Sequence, residues 1–434
     1  MVLFALVFSA CSPKSVEPNK YGVTVEDMLH IPQNVDYFTQ KIEFNETIYD
    51  VQKKYEQRYF SMWNIQQHKE TVDDIKWPVN CFTTGKSYGE NLQLLEQSYF
   101  DELYDNANYD KYSTVNKKAI TLTQTNIRAL PTIRPLLRDP SQAGEGFPFD
   151  YLQNSTIHAN KPLFISHYSK DKEWVYAFSS FTSGWIKADK IAFLEKKYTD
   201  QWQKAQQVFL VKENIPLVDT DGNFLFKSKI GMMLALIDEN SKYYTVLAVT
   251  SYKNNKPLFV KSKISKEIAH KGIMSLNKEN LNVIISEVAK SNYGWGGLFG
   301  QRDCSSSLRD LFTPFGIWLP RNSSIQSRIG KIISLENLTD KEKIQTIKEK
   351  AIPFQTLLYK KGHIVLYVGT YENEVIIFHN TWGIKTVQNN INGRLVIGKS
   401  IFSTLEIGQY QEHYDPAGSI LANLKSMNIL TETN

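Results

Sequence analysis

Cysteine is scarce in this chain, with Cys11, Cys81 and Cys304 the only three in 434 residues. They lie far apart and form no C-x-x-C pair, which excludes a zinc ribbon and a disulfide framework. The odd count leaves at least one thiol unpaired. No H-E-x-x-H pattern is present. His30, His68, His158, His167, His270 and His413 read as surface or packing residues, and neither a metal nor a cofactor is expected. Charge of one sign is also lacking. The formal net charge is +5, with no continuously basic segment, so nucleic acid is not an expected partner. The apolar stretch at residues 1–10 is too short to span a bilayer as a helix.

Aromatic residues are plentiful: 23 Tyr, 23 Phe and 8 Trp. They suit packed β units and surfaces that hold polar ligands against flat rings. At roughly 100–200 residues per domain, the length suggests about three domains. Residues 1–10 resemble the end of a secretion signal, with small Ser9 and Ala10 just before Cys11. The arrangement is similar to a bacterial lipoprotein box. It implies lipidation at Cys11, export to the periplasm or cell envelope, and membrane contact through the lipid anchor. The alternative is a short apolar strand with a buried Cys11. Cys81, beside Phe82, reads as a buried, inert cysteine.

The chain divides by texture. Residues 1–20 read as signal and tether, and 21–118 as a mainly helical domain with a helix over 91–103. Residues 119–200 form a first small β-barrel, with strands at 161–167, 173–178 and 184–186. A second follows over 201–262, with strands at 208–211, 224–226, 232–237 and 243–249. Residues 263–434 turn α+β, with helices expected at 280–290 and 338–350.

Chemistry concentrates in the last unit. Tyr293-Gly-Trp295-Gly-Gly leads to Arg302-Asp303-Cys304-Ser305. Leu308, Leu311, Phe312 and Phe315 then recur at i, i+3, i+4 and i+7, the pattern of an amphipathic helix. Asp303 is its natural N-cap, and Cys304 falls in the first turn, where the helix dipole favours a thiolate. Residues 362–369 read as a strand opening with His363, and 374–379 as one closing with His379. Each histidine is eight residues from Tyr371. A hairpin in register around 370–372 therefore sets the rings face to face. A cysteine at a helix start, a base on a strand and an orienting group on the next follow the Cys-His-polar logic of thiol hydrolases.

At these residues the chain resembles the NlpC/p60 family of cell-wall cysteine peptidases. The matching motifs are Y-x-W-G-G at Tyr293, D-C-S at Asp303, L-P-R-N-S at Leu319, G-H-I-x-L-Y-x-G at Gly362 and H-N-x-W-G at His379. Upstream, Arg58 to Trp63 and Ser183 to Ile186 resemble the branch with an N-terminal helical domain and two bacterial SH3-like barrels. The resemblance implies an α+β, papain-like catalytic domain behind those units. It implies cleavage between the γ-carboxyl of D-glutamate and a diamino acid, meso-diaminopimelate, in peptidoglycan stem peptides or muropeptides. Cys304 would attack, His363 would move the proton and His379 would orient it. The Cys304 N–H and the Tyr293 hydroxyl would hold the oxyanion.

By position, Asp303, Ser305 and Ser323 would hold a free N-terminal L-alanine, with Asp303 open to a second role as cap alone. Trp295 would wall the pocket or pack beneath the glycine turn. Tyr151 and Tyr176 are candidate contributions from the first barrel. A monomer is expected. The competing readings are a non-catalytic wall-binding lipoprotein and a cysteine amidase or acyltransferase on another substrate.

Overall fold

The computed structural model describes residues 25–40, 51–253 and 256–432. Cys11 and the expected signal segment lie outside them. Among the described residues no helix is long and apolar enough to cross a membrane.

Seven antiparallel strands between Lys117 and Phe193 build the first β unit. Its strand Trp174–Phe178 is buried at every position. Alternation explains this: Val175 and Ala177 fill the barrel with Ile127, Leu163 and Ile186, while Trp174, Tyr176 and Phe178 meet Met62, Ile75 and Tyr109 of the N-terminal helices. The second unit is a five-stranded sheet whose long pair is Tyr243–Lys253 with Lys256–Ser265. Strand Ala269–Lys271, beyond the expected end at 262, pairs with Gln207–Leu210 and belongs to this sheet.

The third unit is a six-stranded antiparallel sheet running from Lys331–Ser334 at one edge to Ile391–Thr404 at the other. Helices Lys278–Val288 and Cys304–Phe312 cover one face and Asp340–Lys350 the other. The last two strands, Glu374–Gln388 and Ile391–Thr404, form a long hairpin arm. Sequence periodicity had assigned only the first six residues of the arm, because its distal half carries little apolar alternation.

Among the described residues the N-terminal helices pack on the other units. They are short, four residues at Asp27–His30, five at Val35–Thr39 and nine at Val51–Tyr59. Helices of that length are marginal without tertiary packing. Residues 25–40 lie on the third unit: the Phe38 ring stacks on Phe402 at 5.1 Å, Gln33 exchanges hydrogen bonds with the Phe402 backbone, and Val25 is fully buried. Tyr55, Tyr59, Phe60 and Trp63 instead enter the core of the second barrel. The Trp63 indole donates to the Ala119 carbonyl of the first barrel at 2.8 Å.

Two expectations fail locally. The helix expected from residue 91 starts at Gln97. The Asn91 side chain accepts the Gln93 N–H, and this turn leaves Leu92 and Leu94 about half exposed. Cys81 is exposed, since it ends the short helix Trp77–Cys81 and the neighbouring Phe82 is the residue that turns inward.

Candidate active site

The helix that carries the candidate nucleophile, Cys304–Phe312, begins in a capping box. The Asp303 carboxylate accepts the Ser306 N–H at 2.8 Å, and the Ser306 hydroxyl accepts the Asp303 N–H at 2.9 Å. All nine residues of the helix are buried, the polar side as well as the apolar one. The barrels cover the polar side. The Arg309 guanidinium lies 4.1 Å from the Phe181 ring centre. Asp310 accepts from Arg302 at 2.8 Å and pairs with His158 at 3.3 Å, and Arg302 reaches Glu213 of the second barrel at 2.8 Å.

The glycine run before the helix fits against the first barrel. Gly296 and Gly297 have φ of +59° and +82°. A Cβ on either would sit 2.5–2.6 Å from atoms of Gln153 or Thr156. Close approach allows Gln153 to donate to the Gly296 carbonyl at 3.1 Å and the Thr156 hydroxyl to the Gly297 carbonyl at 2.5 Å. The Trp295 indole donates to the Asp150 carbonyl at 2.9 Å.

The histidines sit on a hairpin made of His363–Tyr371 and Glu374–Gln388. Its two-residue turn is Glu372-Asn373, both with positive φ. Tyr371 pairs with Glu374, and the register shifts between Tyr367 and Gly369. Val368 is thus the extra residue of a bulge. Leu366 then pairs with Phe378, and the ladder continued by one residue sets His379 opposite Val365, not opposite His363 as the sequence suggests. The bulge decides the outcome. Without it His379 would oppose Leu366 and point away from His363; with it both histidines share a face. Their ring nitrogens meet diagonally, His363 Nε2 to His379 Nδ1, at 2.8 Å.

The chain of bonds goes further. His379 Nε2 lies 3.0 Å from the Ser403 hydroxyl, and that hydroxyl donates to the Thr404 carbonyl at 3.0 Å. With the Ser403 proton directed at a carbonyl, its oxygen accepts from His379 Nε2–H. His379 Nδ1 then carries a lone pair, accepts from His363 Nε2–H, and leaves His363 Nδ1 unprotonated.

Cys304 and His363 line one cavity of about 320 Å³ together with His379, Tyr293 and Trp295. Among the described residues no hydrogen bond joins the Cys304 thiol to His363. The Ile364 N–H contacts the sulfur. Burial, reinforced by the Asp303 charge, pushes the Cys304 thiol up to about 12 against the pull of that N–H and of Arg321. The helix start therefore does not make a resting thiolate here, contrary to the sequence expectation, because desolvation outweighs it. Burial and nearby Lys360 bring His363 down to about 3, so it is a neutral base.

The remaining expected pocket residues divide. Tyr293 lines the cavity and packs against Trp382 at 5.8 Å; burial first, then Cys304 and Asp303, raise its hydroxyl. Trp295 both lines the cavity and packs on Phe149 at 5.2 Å. Asp303 is already satisfied: Arg321 grips both oxygens at 2.5 and 3.2 Å, and Gly296 N–H and the Ser305 hydroxyl add to the cap. Burial would raise its carboxyl, but Arg321 and Ser306 together hold it below the usual range.

Ser305 is buried beneath the cavity, bound by Arg321 at 2.9 Å. Ser323 opens the short helix Ser323–Gln326 and does not reach the cavity wall. Tyr176 is buried between the first barrel and the N-terminal helices, stacked on His167 and edge-on to Trp185, and is not a cleft residue. Tyr151 supports the wall from behind, 5.5 Å from the Trp295 ring. Sequence reasoning missed Phe149, Lys360 and Arg394 on the cavity wall, and Arg321 beneath it. Arg321 stood inside a quoted motif; Arg394 carried no signal, because the arm that presents it was not foreseen.

Comparison with known families gives four matches along the chain. Residues 1–112 match the N-terminal NlpC/P60 stabilising domain. Residues 135–187 match an SH3 domain of SH3b1 type, and 196–240 one of SH3b2 type. Residues 290–402 match the NlpC/P60 family. Among solved structures, an NlpC/P60 endopeptidase from Photobacterium damselae subsp. piscicida is similar over 93% of this chain and 98% of its own, with a TM-score of 0.81 and 23% identity. An NlpC/P60 family protein from Bacillus cereus covers 72% of this chain and 99% of its own, with a TM-score of 0.49 and 16% identity. Comparison with curated protein sequences finds no match.

Proposed function

The chain belongs to the NlpC/P60 family, and from that premise we propose that it is a cysteine peptidase cutting peptidoglycan stem peptides between γ-D-glutamate and a diamino acid. The observation that carries this reading is Cys304 and His363 on the wall of one cavity, with His363 bonded on to His379 and His379 to Ser403 behind it.

In the proposed reaction the Cys304 thiol binds protonated. As substrate fills the cavity, His363 Nδ1 takes the proton and the sulfur attacks the γ-carbonyl. The Cys304 N–H, free at the first turn of its helix, and the Tyr293 hydroxyl meet the developing oxyanion. His363 then protonates the leaving amine, and water releases the glutamyl acid. His379 holds the ring of His363 throughout.

A free N-terminal L-alanine on the substrate belongs to this proposal, supported by the aromatic wall of Trp295 and Phe149 with Tyr151 behind it. Arg321 already pairs with the Asp303 carboxylate, so an ammonium bound there would share it. A wall substrate also requires export, which fits the signal-like segment and Cys11.

Mass spectrometry of L-Ala-γ-D-Glu-meso-diaminopimelate after incubation with the purified chain tests the reading. Release of L-Ala-D-Glu is expected, with loss of release in Cys304→Ala. An intact tripeptide, or full activity in that variant, overturns it. A parallel digest of the N-acetylated peptide tests the free amine.

A further inference from the structure

The proposal above leaves three cations in the cavity wall without a task, of which Lys361 is exposed and Lys360 and Arg394 are partly buried. Lys360 ends the strand Thr356–Lys360 next to the Gly362-His363 turn. Arg394 comes from the far half of the hairpin arm, on Ile391–Thr404. Both line the same cavity as Cys304 and His363. Among the described residues neither has a carboxylate within 4 Å; the Glu145 carboxylate acts on Arg394 from further off, and the Lys360 ammonium donates only a long bond, 3.5 Å, to the Gly418 carbonyl. Lys385, also on the wall, is by contrast paired with Asp415 at 2.7 Å.

Arg394 is the more telling of the two. Its Nε is buried and has no hydrogen-bond partner, a costly arrangement for a guanidinium unless something else completes it. Its position is nevertheless set by packing. The loop of the first barrel passes directly over the guanidinium at Gly144, where a Cβ would collide with it, and Gly144 has φ +83°. The two cations also feel each other: burial chiefly, and then Arg394, lower the Lys360 ammonium. Two partly desolvated positive charges facing one cavity are stabilised when an anion sits between them.

We infer that Arg394 and Lys360 form a carboxylate-binding subsite that selects wall peptides carrying a free carboxylate beside the scissile amide. The inference rests on the proposed peptidase reading and deepens it. A γ-D-glutamyl–diaminopimelyl bond offers two such groups, the α-carboxylate of D-glutamate and the second carboxylate of diaminopimelate. Amidation of the first, or lysine in place of the second, removes one charge at a time. The planar fork of Arg394 supplies bidentate geometry, and Lys360 a point charge beside His363. The barrel loop at Gly144 holds the fork in place.

Four peptides, each amidated at the C-terminal carboxyl of residue three so that this carboxylate does not compete, distinguish the sources: L-Ala with γ-D-Glu or γ-D-isoglutamine at position two and diaminopimelate or lysine at position three. Their binding to the Cys304→Ala chain is measured by calorimetry, and their kcat/KM with the unmodified chain. One carboxylate is expected to raise affinity and kcat/KM about 10- to 100-fold, as lost charge-assisted hydrogen bonds do. Arg394→Gln is expected to narrow that ratio to about twofold, with Lys360→Gln weaker in effect and Arg394→Lys keeping part of the ratio. Equal binding of all four, no binding of any, or an unchanged ratio in Arg394→Gln overturns the subsite. Should the peptides bind with this discrimination but remain uncut by the unmodified chain, the peptidase reading falls and the subsite stands.

Discussion

At Cys304 the chemistry turns on a balance between burial and donors. Burial holds the thiol near about 12 while His363 is held near about 3. The two shifts work against a preformed thiolate–imidazolium pair, since each favours the uncharged partner. Alkylation of the free enzyme by iodoacetamide is therefore expected to keep accelerating above pH 9. A rate plateau already reached below pH 7 would contradict this. His363 stays neutral as pH falls well below the ordinary histidine range, so kcat/KM should show no acid limb near 6.5.

The Ser403 hydroxyl sits one residue further out. Ser403→Ala removes the acceptor that fixes His379, leaving a buried N–H unpaired at a cost of about 1–3 kcal/mol. A fall in kcat of about tenfold with little change in KM is expected, together with a lower urea midpoint. The cysteine and both histidines were legible as candidates because few residue types suit thiol-hydrolase chemistry. Ser403 was not, because a serine in a buried strand has no distinguishing pattern.

At the scale of elements, the hairpin shows what a hydrophobic pattern can and cannot say. Alternation identified both strands and both histidines. It could not locate the two-residue turn or the bulge at Val368, which are set by backbone geometry. The two errors nearly cancelled, so the right pair of residues was named with the wrong register. Deleting Val368 tests the physical account. It removes the bulge but leaves Leu366 opposite Phe378, so both histidines stay on one face and turnover should persist; deleting Val365 instead moves His363 one position, to the opposite face, so turnover should fall below detection while circular dichroism still reports the sheet, and retained activity there would refute the parity argument. The helix at Cys304 teaches a related lesson. A sequence does not show that Phe181, His158 and Glu213 from other units will cover its polar stripe.

For the whole molecule, the buried charges around Arg302 and Asp310 tie the three large units together. Removing one member leaves uncompensated charge, so Asp310→Asn should cost about 3–5 kcal/mol, measured by equilibrium urea unfolding. Burial opposes the charged form of Asp310, but Arg309, His158 and Arg302 hold its carboxyl well below the usual range. A depressed folded value contributes stability that is present above the unfolded value near pH 4 and is lost as pH falls toward the folded one. This contribution should therefore persist through mildly acid conditions.

Residues 25–40 belong to the third unit although more than two hundred residues separate them from its first helix. A fragment starting at residue 272 is expected to be less stable than the full chain by differential scanning, and a peptide of residues 25–40 to restore part of the loss. The same arrangement sets a clock. Phe38 emerges from the ribosome early, and its stacking partner Phe402 some 360 positions later. At roughly 5–20 residues per second that is a wait on the order of tens of seconds. Through that interval the first-made segment must stay available while both barrels are completed, and the hydrolase core closes only when the last-made strands return to it.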